Sequence, residues 1–138
     1  MTRNEKKEWL SRAYHLDRRI RAKMRRAESL SCLATKASAV CDGVPVSSGG
    51  YASSRLESIA VRLADLGTEI EKDNAELVAV SAQIRNAIRT VGDQTMEDIL
   101  EMRYLDMLKW EEISAMMGLS VDYTYQLHRR ALEMVKFN

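Results

Sequence analysis

Proline is almost missing from this chain: Pro45 is the only one in 138 residues. With so few interruptions the chain favours helices, and only at Gly43, Pro45, Gly49 and Gly50 do breakers cluster. Cysteine is equally sparse. Cys32 and Cys41 form no C-x-x-C and sit far from His15 and His128, so the sequence offers no zinc site and reads as carrying reduced thiols. No run of about 18 apolar residues occurs, which argues against a membrane span. The first residues are charged rather than apolar, unlike a secretory leader. Neither a phosphate loop nor a dinucleotide fingerprint is present. Glu111-Glu112 is a weak candidate for paired catalytic carboxylates, better read as an exposed first helical turn. The expectation is a cytoplasmic, non-enzymatic protein without cofactor or metal.

What is abundant is charge, at 30 % of residues, and it is segregated although the net value is only +1. Residues 1–36 hold 11 Lys/Arg against 4 Asp/Glu, residues 37–91 hold 5 against 7, and residues 92–138 hold 5 against 9. The balances are +7, −2 and −4, which sum to the +1 of the whole chain. The N-terminal excess includes the run Arg18-Arg19-Ile20-Arg21-Ala22-Lys23-Met24-Arg25-Arg26. That run has two readings: a solvated face offsetting Asp65, Glu69, Glu71 and Glu76, or a stripe that tracks phosphates.

Apolar residues from 4 to 40 recur at alternating steps of four and three: Trp9, Ala13, Leu16, Ile20, Ala27, Leu30, Ala34, Ala37. Residues 54–91 repeat the pattern through Leu56, Ile59, Leu63, Leu66, Ile70, Leu77, Val80, Ile84, Ala87 and Val91. Such alternation is a heptad seam. Ser54-x-x-Glu57 reads as a capping box opening the second helix, and DGVPVSSGGY as the loop between the two. Helices joined by a short loop pack antiparallel. In that register Leu30 faces Leu66, Leu16 faces Val80 and Trp9 faces Ala87. The one polar seam position of each arm, Lys23 and Asp73, then falls in the same layer. Paired, they set the register, because a heptad slip would strand each charge among apolar side chains at a cost of roughly several kcal/mol. The alternative is that both reach out to solvent. Met24, Leu33, Val61, Val78 and Ile88 lie off the seam and leave room for a homo-oligomer, a dimer being the simplest.

Gly92-Asp93 ends the second arm, and Thr95-x-x-Asp98 can cap a helix over Met96–Leu105. The stretch Trp110–Val135 then reads as a short helix, a glycine turn and a second helix. Gly118 stands where the first of these stops, Ser120 caps the next, and Thr124, Leu127, Ala131 and Val135 make one buried face. The core of the unit should include Ile99, Met102, Leu105, Trp110, Ile113, Met117, Leu119, Leu127 and Ala131. The opposite face carries Val121, Asp122, Tyr123, Tyr125, Gln126, Arg129 and Arg130, side chains suited to a major groove. The expected fold is all-α: a long antiparallel helical hairpin (a coiled coil) over residues 1–92, then a three-helix helix-turn-helix domain over 93–138.

The segment LEMRYLDMLKWEEISAMMGLSVDYTYQLHRRALEMV resembles the fourth conserved region of bacterial sigma factors. It is more similar to the sigma-like C-terminal segments of small phage-encoded regulators of late transcription (the ArpU-like and RinA-like groups). Leu100, Arg103, Tyr104, Trp110, Glu112, Ile113, Gly118, Ser120, Leu127, His128, Ala131 and Leu132 carry the likeness. LSRAYHLDRRI and LATKA resemble the coiled-coil half of the same phage proteins. Sigma-type sequences tend to have a basic residue where this chain has Val121 and a capping residue where it has Lys109. The resemblance implies a sequence-specific regulator bound to double-stranded DNA. Base-edge contacts would fall on Val121, Asp122, Tyr123, Tyr125 and Gln126. Physically, Gln126 can pair with adenine, Asp122 can accept from cytosine, and Val121 can touch a thymine methyl. Arg129, Arg130 and His128 would meet phosphates. For the tyrosines, packing against a neighbouring helix is the other reading. The acidic balance of residues 92–138 also admits a different role, an interaction protein docking on RNA polymerase or another protein with little DNA affinity of its own.

Overall fold

A computed structural model describes residues 1–42 and 49–137, with side chains at 1–37 and 53–137. The protein is an all-α, multi-helix bundle with a bent helical pair at its N-terminus and further helices downstream. The described helices are α1 (Arg3–Leu10), α2 (Arg12–Asp42), α3 (Gly49–Ile88), α4 (Gln94–Tyr104), α5 (Trp110–Met117) and α6 (Val121–Met134). Of the loop expected at DGVPVSSGGY, residues 43–48 lie outside the described residues, as does the side chain of Cys41. No described helix is long and apolar enough to cross a membrane.

The helix borders differ from the sequence expectation in three places, each for a local reason. The first arm is bent at Ser11, between α1 and α2. There the Arg12 guanidinium lies 4.3 Å over the Trp9 ring, and its Nε donates to the Trp9 carbonyl at 3.0 Å. A carbonyl engaged by a side chain is a recognised cause of helix bending. The second arm is already helical from Gly49, so Ser54 sits within α3 rather than capping it. It ends at Ile88, and Gly92, with φ +79, turns the chain so that Asp93 is extended and caps α4 through Met96 N at 3.0 Å. The expected cap, Thr95, therefore lies inside the first turn of α4.

By packing, the described residues fall into two compact units: Met1–Asp17 with Glu76–Asn138, and Arg18–Ala75. In the first, the chain ends of both arms share a core with the C-terminal helices. Leu10, Ala13 and Leu16 cluster with Val80, Ile84, Ile88, Leu100, Tyr104, Ala131 and Leu132. Leu10, Ile84, Ile88 and Leu132 are fully buried, and each such side chain contributes about 1.5–3 kcal/mol relative to exposure. A second cluster joins Ile99, Ile113 and Leu127, with Met102, Trp110, Met117 and Leu119 at its edge. α6 packs on α4, α5 and α1. Lys6 of α1 donates from Nζ to the Leu132 carbonyl at 2.8 Å, satisfying an orphan acceptor at the end of α6.

The second unit is two helices. Among its described side chains only Ile20, Ile59 and Asp73 are buried, while Leu30, Leu63, Leu66 and Ile70 are half-buried. Two helices alone leave part of a heptad seam open to water. Lys23 meets Asp73, whereas Leu33, further along α2, shares a groove with Ser54 and Arg55, earlier in α3, so the two helices run antiparallel within this unit. Lys23 Nζ donates to Asp73 Oδ2 at 2.8 Å, in the layer where the seam arithmetic places both.

Candidate nucleic-acid interface

The candidate surface is α6 and the turn that presents it. α5 stops at Gly118, whose φ of +68 is the left-handed conformation that glycine adopts without a Cβ penalty. Ser120 is extended, and its Oγ accepts from Tyr123 N at 3.2 Å, which starts α6. Thr124 Oγ1 donates to the Ser120 carbonyl at 2.8 Å, tying the first turn down from the inside. α5 begins at Lys109 without any side-chain cap, in keeping with the absence there of a capping residue.

The inner side of α6 buries Thr124, Leu127, His128, Ala131 and Leu132. Its outer side exposes Asp122, Tyr123, Tyr125, Gln126, Arg129 and Arg130, with Val121 half-buried. Among the described residues neither Arg129 nor Arg130 has an ion-pair partner. Tyr123 is 44 % exposed. Tyr125 is partly committed elsewhere, its ring 5.0 Å from that of Trp110. Of the two readings open for the tyrosines, packing thus describes much of Tyr125, and exposure describes Tyr123.

One assignment needs correction. His128, expected at a phosphate, is only 5 % exposed. Its Nε2 shares a 2.7 Å hydrogen bond with the Tyr104 hydroxyl, and its ring meets Trp110 edge-on at 4.6 Å. Burial, followed by the nearby cations Lys7, Arg103, Arg129 and Arg3, pushes its pKa down to about 4. At neutral pH it is an uncharged core side chain. Tyr104 is pushed up to about 12, again chiefly by burial. The pair satisfies two polar groups that would otherwise be stranded in the core.

The other pair singled out by the sequence, Lys23 with Asp73, proves to be part of a larger cluster. Arg19 Nη2 reaches Asp73 Oδ1 at 3.1 Å, and Lys23 Nζ also lies 3.6 Å from Glu69 Oε2. The Lys23 hydrogen bond and then Arg19 outweigh desolvation and hold the Asp73 carboxyl below its usual range. Asp73 is covered without being deep, since two helices are all that shields it. Arg19 and Glu69 lie beside the seam rather than on it. Trp110, too, is ringed by side chains distant in sequence, Arg103, Tyr125 and His128 from other helices. No periodicity announces such long-range neighbours.

Among the described residues no group of three or more His, Cys, Asp or Glu is placed to hold a metal ion. No curated protein and no solved structure matches the chain. A family model does match, over residues 36–136, a span that runs from the last two turns of α2 through α6. The chain belongs to the family described as "Protein of unknown function (DUF1492)".

Proposed function

We propose that this protein is a sequence-specific DNA-binding regulator of transcription, of the sigma-like, phage late-gene kind that its C-terminal segment resembles. α5, the Gly118 turn and α6 form the helix-turn-helix, with α6 in the major groove. One observation carries the reading: Asp122, Tyr123, Gln126, Arg129 and Arg130 stand together on the open side of a helix whose other side is buried. Val121, Asp122, Tyr123, Gln126 and the free edge of Tyr125 are the base-reading set, and Arg129 and Arg130 the phosphate set. His128 leaves the phosphate set. Arg18–Ala75 supply an antiparallel coiled coil for self-association or partner binding, and residues 93–138 the reader, which shares its core with the ends of both arms. The half-buried seam of the second unit is consistent with a further copy covering it.

Fluorescence polarisation with duplexes from upstream of the native operon tests this. Binding at low salt is expected. Gln126→Ala should cost about 1–3 kcal/mol at one base position, and Arg130→Ala should weaken every sequence alike. Absence of binding to any duplex at low salt sinks the direct reading. The −4 balance of residues 92–138 favours the second one, docking on RNA polymerase. A stable complex with polymerase formed without DNA, and lost on Tyr123→Ala, would point there.

A further inference from the structure

Opposite the outer face of α6, the first unit contains a cavity of about 500 Å³ that the DNA reading does not use. Its walls come from α1, the start of α2, the end of α4, the loop before α5 and the buried side of α6. Lys7, Arg103 and Lys109 converge on it, and no carboxylate lines it. Among the described residues Lys7 and Lys109 have no ion-pair partner. Arg103 is held in place, its Nη1 donating to the Leu108 carbonyl at 3.0 Å while its guanidinium covers Trp110. The floor is the uncharged Tyr104–His128 pair, and Tyr14 and Met107 supply flat and apolar surface at the sides. Met107 is the one described residue other than glycine with positive φ, at 60. Strained backbone of this kind gathers at ligand clamps.

We propose that this cavity binds a small phosphate-bearing ligand with a flat aromatic body, of the nucleoside monophosphate class. Three cations without a carboxylate select an anion, and the lysines act as mobile point charges beside a fixed guanidinium. The volume falls within the usual range of small-molecule sites, roughly 300–1,000 Å³. A duplex is the poorer occupant. Its phosphates lie on a convex rod, and Tyr104 and His128 at the cavity floor are only 6 % and 5 % exposed. Tyr14, 42 % exposed and 5.7 Å from the His15 ring, adds an aromatic side chain to the wall against which the aromatic body can pack.

The test is calorimetric titration of the full chain with AMP, GMP, CMP and UMP, with adenosine and inorganic phosphate as separate arms and no DNA present. At least one mononucleotide should bind, at least tenfold more tightly than inorganic phosphate and than adenosine. Lys7→Ala with Lys109→Ala should weaken that binding by tenfold or more. Both lysines are exposed, so the fold should persist, as circular dichroism will report. Tyr14→Ala should weaken the mononucleotide but not phosphate. Failure of all four mononucleotides at millimolar concentration, equal binding of phosphate, or indifference to the double substitution would each overturn the proposal. So would a loss of duplex affinity in the lysine variant without any mononucleotide binding, which would assign these cations to a nucleic-acid backbone.

Discussion

At the scale of single residues, His128 shows how far the neighbours of a helix decide the meaning of a side chain. Thr124, Leu127, Ala131 and Val135 mark one buried stripe in the sequence, and His128 falls just beside it. From the stripe alone that position would be a rim. Tyr104 of α4 and Trp110 at the start of α5 close over it, so the buried arc widens to take in His128, with Leu132 four residues on. The consequence is a measurable pH dependence. The folded pKa is depressed to about 4 from 6.5, so the unfolded chain takes up a proton that the folded protein refuses. This stabilisation is complete above pH 6.5 and is lost as pH falls toward 4. Urea unfolding should lose about 3 kcal/mol of stability across that window on account of this group. His128→Gln should flatten most of the drop, leaving the smaller part due to carboxylates. A His128 ring that titrates near its ordinary value by NMR would contradict the account.

At the scale of elements, the arms were legible because a heptad seam is a long, redundant signal. The same redundancy made its two defects conspicuous, and simple register arithmetic set Lys23 level with Asp73. What the pattern did not carry is the rest of the cluster. Arg19 lies a turn earlier, beside the seam, and reaches Asp73 only because its side chain is long. The Ser11 bend was hidden for a similar reason, since it depends on where the Arg12 side chain goes rather than on helix propensity. The start of α4 was misplaced because Asp93 and Thr95 are both competent caps, and the Gly92 turn decides between them. The ion cluster yields a prediction at this scale. Lys23→Glu sets a carboxylate against Asp73 and Glu69 and should lower the melting temperature. Adding Asp73→Lys should recover only part, because Arg19 then meets a like charge. Full additivity of the two changes would mean that the side chains do not interact in solution.

At the scale of the whole molecule, the distribution of charge bears on how the protein would hold DNA. Tight non-specific binding needs many cations, because each phosphate neutralised adds about −0.9 to the slope of log K against log salt. The exposed side of α6 offers two, Arg129 and Arg130, within a segment whose balance is −4. The basic run of α2 holds far more charge, but much of it is already engaged. Arg19 and Lys23 are bound to Asp73, and Arg25 and Arg26 share a groove with Asp65 and Glu69 of α3. We take intramolecular balance, rather than phosphate tracking, as the reading of this run to be tested. A shallow salt dependence follows, with a slope of about −2 for two phosphate contacts. Arg129→Ala and Arg130→Ala should each reduce its magnitude by about 1, whereas Arg25→Ala with Arg26→Ala should leave it unchanged. Polarisation titrations between low and moderate salt decide the matter. A slope of about −5 or steeper, falling when Arg25 and Arg26 are removed, would put the basic arm on the duplex and require a reader with two contact surfaces rather than one.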